Sequence, residues 1–150
     1  MGTLPEGLPA VEDCNCLAVR QAARHVTQFY DRFLAPAGLR TTQFSILAKL
    51  KRQGAMTINA LAKDMVMDRT TLGRNILPLE RDGLIAVATG DADRRSREVR
   101  LTEAGATRLR TALKGWAAAQ RGFEAAFGRK RAADLRSLLR AVAASDLEAA

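Results

Sequence analysis

The sequence predicts a mainly α-helical protein that contains one short β-hairpin. Most apolar residues recur at helical spacing, Thr, Asp and Gly stand where helices would begin and end, and strict alternation occurs only over residues 85–89 and 98–101. With 150 residues, 47% of them hydrophobic and 27% charged, the chain has the size and composition of one folded domain. We expect this domain over residues 14–150, after a flexible N-terminal tail over residues 1–13.

Three helices are predicted in the first part of the chain. Apolar residues at helical spacing support each of them, and hydroxyl side chains or glycines mark their limits. The first spans residues 16–34 and is ended by Pro36 and Gly38, the second begins at a cap formed by Thr41 or Thr42 and ends at Gly54, and the third follows a cap formed by Thr57 and extends to about Met65.

The fourth predicted helix has an unusually polar outer face. Asp68 can cap it, and it continues to about Arg81. Pro78 lies inside it and removes one backbone donor, so we expect a kink about one turn before the proline. The buried side carries Leu72, Ile76 and Leu79, and the exposed side carries Arg69, Thr70, Thr71, Arg74 and Asn75.

The alternating stretch predicts a β-hairpin with a charged tip. Gly83 can adopt the left-handed backbone that ends the fourth helix, and two strands then flank a loop over about residues 90–97. Beyond the hairpin, Thr102 caps a long helix to about Phe127, and a final helix spans residues 129–147. The loop carries Asp91, Asp93, Arg94, Arg95 and Arg97.

Charge and composition narrow the function classes. The net charge of +8, from 24 Lys plus Arg against 16 Asp plus Glu, is typical of proteins that bind a polyanion, with nucleic acid favoured over a membrane surface. No apolar stretch approaches the roughly 20 residues of a membrane span, and residues 1–13 lack the features of a secretory signal. One His and two Cys offer little for catalysis or metal binding. We expect a cytoplasmic protein without enzymatic activity, cofactor, metal or membrane partner.

The order of the elements is that of a winged helix-turn-helix. In that fold the fourth helix enters the major groove of double-stranded DNA, where Arg, Thr and Asn side chains contact phosphates and base edges. The hairpin lies beside the duplex, where an arginine can enter the minor groove. The predicted DNA-binding residues are therefore Arg69, Thr70, Thr71, Arg74, Asn75, Arg94, Arg95 and Arg97.

Residues 93–102, Asp-Arg-Arg-Ser-Arg-Glu-Val-Arg-Leu-Thr, resemble the wing signature of the multiple-antibiotic-resistance regulator (MarR) family, Asp-x-Arg-x-x-x-apolar-x-Leu-Thr. Residues 61–62, 68–72 and 79–85 resemble the helix-turn-helix of the same family. The resemblance implies a homodimer on a pseudo-palindromic operator, with residues 14–38 and 102–150 as a helical dimerisation lobe and residues 39–101 as the winged module. It also implies that Asp93, together with Asp68, orients Arg95.

The resemblance further implies a pocket for a small aromatic effector between the dimerisation helices and the DNA-binding lobe. A cation would pair with a carboxylate of the effector, and aromatic side chains would flank its ring. The candidates are Arg20, Arg24, His25, Tyr30 and Phe44.

The sequence thus predicts a dimeric DNA-binding regulator, a repressor that its ligand releases, and two alternatives remain open. Cys14 and Cys16 could form a thiol switch across the dimer axis, although two such residues are also common as inert apolar side chains. A winged-helix module can also serve protein interactions without specific DNA binding, because fold does not determine function.

Overall fold

The computed structural model describes residue 7 and residues 10–90 and 93–148, with the side chains of residues 90 and 93–95 excepted. Within these residues the elements follow the predicted order, and the mainly α-helical winged helix-turn-helix class is confirmed. The helices are α1 Asn15–Leu34, α2 Thr41–Gln53, α3 Ile58–Asp64, α4 Arg69–Arg81, α5 Glu103–Phe127 and α6 Arg129–Ala144, and the strands are β1 Met56–Thr57, β2 Ile85–Gly90 and β3 Asp93–Leu101.

Both ends of the domain differ from the prediction. Val11–Asp13 forms a short 3-10 helix, while most of the predicted flexible tail, residues 1–6 and 8–9, lies outside the described residues. The last helix ends at Ala144 rather than near Leu147, because Ser145 leaves the helical backbone region with ψ of 141°. None of the helices in the described residues is long and apolar enough to cross a membrane.

Side-chain hydrogen bonds confirm three of the predicted helix caps. At the start of α3, the Thr57 hydroxyl accepts a hydrogen bond from the Ala60 amide at 3.0 Å. The Thr102 hydroxyl accepts from Gly105 in the same way at the start of α5. Asp68 caps α4 by accepting from the Thr71 amide. Each bond satisfies an amide in the first turn that has no partner inside the helix.

The predicted cap of α2 was wrong. Arg40 holds the cap position, and Thr41 is the first helical residue rather than the cap. The amide and hydroxyl of Thr41 both donate to Oδ1 of Asp31 on α1, each at 2.7 Å. A tertiary partner therefore satisfies the start of α2, and this contact ties α1 to the winged module.

The sheet is larger than the predicted hairpin. Its antiparallel order is β1-β3-β2, with Val99 of β3 between Met56 of β1 and Val87 of β2. The predicted loop over residues 90–97 was too long, because β3 already begins at Asp93 and pairs there with Gly90 after a register shift. Backbone pairing with β2 extends the strand through residues whose charged side chains show no apolar alternation.

One apolar core joins the winged module to α5. Leu47, Leu61, Leu72 and Val99 are fully buried in it, and among the described residues no polar or charged side chain is buried. Trp116 of α5 stacks on Phe44 with ring centroids 5.8 Å apart. These contacts fix the position of α4 relative to the long helix α5.

Candidate nucleic-acid interface

The N-terminus of α4 is built around Asp68. Its Oδ1 accepts from the Thr71 amide at 2.7 Å, and its Oδ2 accepts from the Thr71 hydroxyl at 3.1 Å. The bond from the Thr71 amide, followed by that from the hydroxyl, lowers the pKa of Asp68 below its ordinary value of 3.8, because both stabilise the carboxylate. Asp68 is therefore a helix cap, and its predicted role in orienting Arg95 stays a prediction.

The outer face of α4 is exposed as predicted. Leu72, Ile76 and Leu79 lie in the core, and their burial turns the opposite side of the helix outwards. Pro78 lies inside α4, which continues past it to Arg81, while the predicted kink remains a prediction. The exposed residues of the outer face are Arg69, Thr70, Thr71 and Arg74, with Asn75 half-buried beside them.

Asn75 is held against its own helix. Its Nδ2 donates to the Thr71 carbonyl oxygen at 2.8 Å. Bidentate recognition of adenine uses both the amide nitrogen and the amide oxygen of an asparagine. The bond uses one of the two N–H groups of Nδ2, so it fixes the orientation of the Asn75 amide and leaves the other N–H and Oδ1 available to a base.

A polar cleft of about 460 Å³ adjoins α4 and brings together residues from three helices. Arg40 and Gln43 from the start of α2 face Arg74 across it, and Gln43 accepts from the Arg40 amide at 2.9 Å. The sequence did not indicate Thr42 and Gln43 as neighbours of α4, because no local sequence signal shows which helices pack together. The lining residues are Thr27, Asp31, Arg40, Thr42, Gln43, Arg74, Asn75 and Pro78.

The wing presents Arg97 in the paired part of the hairpin. Arg97 lies opposite Thr89 and is exposed. The backbone of β3 includes Asp93, Arg94 and Arg95, while the side chains of these residues lie outside the described part of the structure. Contact between Asp93 and Arg95, and DNA contact by the wing arginines, stay predictions.

The predicted effector residues do not converge on one site. Two apolar sites adjoin α1. The larger, which we call the apolar cavity, has a volume of about 430 Å³ and lies between α1, α5 and α6. Tyr30 lines it and donates a hydrogen bond to Oε1 of Gln120. His25 lines a separate cavity of about 260 Å³ with Phe29 and Phe127. Phe44 is buried in the core, and the exposed Arg20 and Arg24 line neither cavity.

The two cysteines are exposed free thiols at the start of α1. Cys14 is the N-cap, and its Sγ accepts from the Leu17 amide at 3.4 Å, while Cys16 lies in the first turn. The capping role explains Cys14 without a redox function, and the thiol switch stays an alternative.

Comparison with known proteins agrees with this fold. Residues 39–96 match the model of the MarR family. BadR, a transcriptional activatory protein of Rhodopseudomonas palustris, is 34% identical over 88 residues, which are 57% of this chain and 50% of BadR, so the match spans half the length of that relative. MosR of M. tuberculosis, solved with DNA, is 37% identical with a TM-score of 0.77, over 90% of this chain and 100% of MosR.

A further structure, that of the transcriptional repressor CouR on a 23-mer DNA duplex, is 25% identical with a TM-score of 0.78, over 95% of this chain and 99% of CouR.

The fold and the exposed face of α4 define a winged helix-turn-helix protein of the transcriptional-regulator class. More particularly, the chain belongs to the MarR family, which confirms the resemblance of its wing signature. The matched proteins are regulators rather than enzymes.

Proposed function

We propose that the chain binds DNA sequence-specifically and regulates transcription from the bound site. The outer face of α4 carries this proposal, since its cationic and hydroxyl side chains are exposed next to a basic wing strand. In this proposal Arg74 donates to a guanine edge, and Arg69, Thr70 and Thr71 contact phosphates and bases near the helix start. Similarity to MosR and CouR, both solved with DNA, supports the same function.

Specific and general contacts can be separated by two variants. Arg74→Ala should lose about 1–3 kcal/mol of discrimination between the chain's own upstream DNA and a scrambled duplex. Arg52→Ala removes an exposed cation of α2 and should weaken both duplexes alike, with the salt slope of log Kd reduced by about one unit. Fluorescence anisotropy at two salt concentrations measures both effects.

Equal losses on both duplexes from Arg74→Ala would contradict its role in base reading. Equal, weak binding of both duplexes by the wild-type protein would favour the interaction-module alternative instead. Lys49 is a poorer choice than Arg52 for the phosphate variant, because its Nζ already lies 2.7 Å from Oδ2 of Asp64.

The functional unit that we propose is a homodimer. Leu138, Leu139 and Val142 on α6 are 66%, 44% and 51% exposed, and Val19 on α1 is 46% exposed. Contiguous exposed apolar side chains mark interaction surfaces, and a second copy of the chain would bury them. Such a dimer presents two copies of α4 to half-sites about one helical turn apart.

We further propose that a small ligand in the apolar cavity releases the DNA, so that the protein acts as a repressor. Val19 and Leu139 line this cavity and also belong to the proposed dimer surface, so the ligand would bind at the edge of the interface between the two copies. Thr41 lines this cavity and also begins α2 through its bonds to Asp31, and Thr27 lines both the apolar cavity and the polar cleft beside Arg74. A ligand that moves α1 against α2 would therefore change the spacing of the two α4 helices. A reporter gene behind the operator should be silent with the protein and active when the ligand is added.

The thiol-switch alternative makes a different prediction for the same assay. If oxidation controls DNA binding, peroxide should release the operator from the wild-type protein but not from the Cys14→Ser, Cys16→Ser double variant. Unchanged release in the double variant would exclude these cysteines as the sensor.

A further inference from the structure

One row of residues runs along the centre of the outer face of α4. Residues three and four positions apart are neighbours on a helix, and this spacing connects Thr70, Gly73, Arg74, Leu77 and Arg81. Leu77 is the exception among these mostly polar residues, because its side chain is apolar and 63% exposed. Folding of a single copy of the chain therefore leaves most of this leucine in water.

Gly73 leaves a gap in the same row, one turn before Leu77. Side chains of a helix lean towards its N-terminus, so Leu77 lies over the turn that contains Gly73. Even so, a Cβ added to Gly73 would have no atom within 4 Å, its chain neighbours and the backbone of its own helix apart. Glycine is less stable than alanine inside a helix. Packing within the chain therefore does not account for this glycine.

The gap and the leucine fit the methyl group of a thymine. In the major groove only thymine presents a C5-methyl group, which proteins recognise through apolar contact. Glycine is used where a backbone must approach a ligand closely. The exposed cations Arg69 and Arg74 lie on the same side of α4, and they favour a polyanion over an apolar protein surface as the molecule that covers Leu77.

We propose that Gly73 and Leu77 recognise the C5-methyl group of one thymine in each half-site of the operator. Gly73 admits the methyl group into the gap, and Leu77 covers it. This inference rests on the proposed DNA binding and names a base that α4 selects. It adds a preference that the arginines do not supply, because their contacts are with guanine and phosphate.

Uracil in place of thymine tests the contact, since it removes only the methyl group and keeps the hydrogen-bonding groups of the base. The wild-type protein first selects its operator from a pool of random duplexes. Each thymine of that operator is then replaced in turn by uracil, and fluorescence anisotropy gives the affinities. We expect one position in each half-site at which uracil weakens binding about fourfold, the effect of one buried methyl group.

Variants of Leu77 assign the methyl contact to this side chain. Leu77→Asn keeps a side chain of similar shape but makes it polar, and it should bring the ratio of thymine to uracil affinity at that position close to one. Leu77→Met provides an apolar side chain again and should restore the ratio. Leu113→Asn is the control, because Leu113 is also exposed, at 44%, but lies on α5, and it should leave the ratio unchanged.

A variant of Gly73 separates recognition from folding. Gly73→Ala should unfold at a higher denaturant concentration than the wild type, because alanine has the higher helix propensity and meets no obstacle. Its affinity for the selected operator should nevertheless fall about tenfold, because the alanine methyl group occupies the place of the thymine methyl group. Uracil at the same position should recover part of this loss, since it makes room for the alanine.

Three results would overturn the proposal. The first is a wild-type protein that is indifferent to uracil at every thymine of its operator, and the second is a methyl preference that survives Leu77→Asn. The third is a Gly73→Ala variant that binds the thymine operator as tightly as the wild type. A wild-type protein that selects no sequence would overturn the proposed sequence-specific binding itself, whereas selection without a methyl effect overturns this inference alone.

Discussion

Val66 is a β-branched residue with a left-handed backbone. Its φ is 54°, and it follows α3 at the position where helices commonly place glycine. The Met67 amide donates to the Ala62 carbonyl at 2.8 Å and closes the last turn of α3. The Val66 side chain is 71% exposed, so its burial does not offset a backbone cost of about 1–2 kcal/mol. The turn between α3 and α4 is therefore strained.

Replacing Val66 with glycine should stabilise the protein. Val66→Gly relieves the steric cost of positive φ, and the greater entropy of glycine in the unfolded chain reduces the gain to about 0.5–1 kcal/mol in the free energy of unfolding. Denaturant unfolding measures it. Gly83→Ala is the matched opposite, at φ of 73° with open space around it, and should lower stability by about 1 kcal/mol. Lower stability of Val66→Gly would show that the turn is not strained.

Asp68 should make the stability of α4 depend on pH. Because folding lowers the pKa of Asp68, its stabilising effect is present above the unfolded value and is lost as pH falls through the folded value. Asp68→Ala should therefore be less stable than wild type at pH 7, and the difference should shrink below about pH 4. Asp68→Asn keeps an acceptor for the Thr71 amide and should lose less. A constant difference down to pH 2 would contradict this mechanism.

The helices α1 and α5 approach each other so closely that one position requires glycine. A Cβ on Gly115 of α5 would overlap the Phe33 carbonyl of α1. Gly73 of α4 has no neighbour within 4 Å of such a Cβ. Of these two helical glycines, Gly115 is required by the close packing of α1 against α5, whereas the space around Gly73 would accept a side chain.

The two positions should respond to alanine with opposite signs. Gly115→Ala forces α1 and α5 apart and should lower the free energy of unfolding by about 1–3 kcal/mol. Gly73→Ala should raise it by about 0.5–1 kcal/mol, since alanine has the higher helix propensity and meets no obstacle. Equal effects in denaturant unfolding would mean that the helices do not cross where the structure places Gly115.

The net charge of +8 does not by itself locate the DNA surface. Residues 68–100 contain seven Arg against six Asp plus Glu, so most of the excess lies elsewhere. Neutralisation of phosphates by the exposed cations of α2 and α3 would therefore contribute to affinity, while the arginines of α4 contribute to specificity.

The proposed dimer should depend on the apolar side of α6. Leu138→Glu should weaken self-association at least about tenfold, because it introduces a charge into the proposed interface. Sedimentation analysis measures the dimerisation constant, and operator affinity should fall in parallel. Leu77→Glu is the control for the sedimentation readout alone, since Leu77 is similarly exposed, at 63%, but lies on α4, where an added charge would itself affect DNA binding. A dimer unchanged by Leu138→Glu would place the interface elsewhere.

Local signals along the chain set the order and nearly all limits of the helices. Asp68, Thr57 and Thr102 cap helices through bonds to residues three positions away, and Gly83 and Gly128 end them through their own backbone conformation. The wing signature also indicated the family, because its residues are contiguous in the chain. These signals are readable because capping and periodicity act within one or two helical turns.

Which distant residues meet depends on the packing of the elements against one another. β1 is a strand because Met56 pairs with Val99, and Thr41 begins α2 because Asp31 of α1 receives its donors. The predicted effector residues separated for the same reason, with Phe44 in the core and Tyr30 at the apolar cavity beside Arg136. A cavity between three helices depends on how they pack, and helix periodicity indicates which face is buried but not which residues lie opposite it.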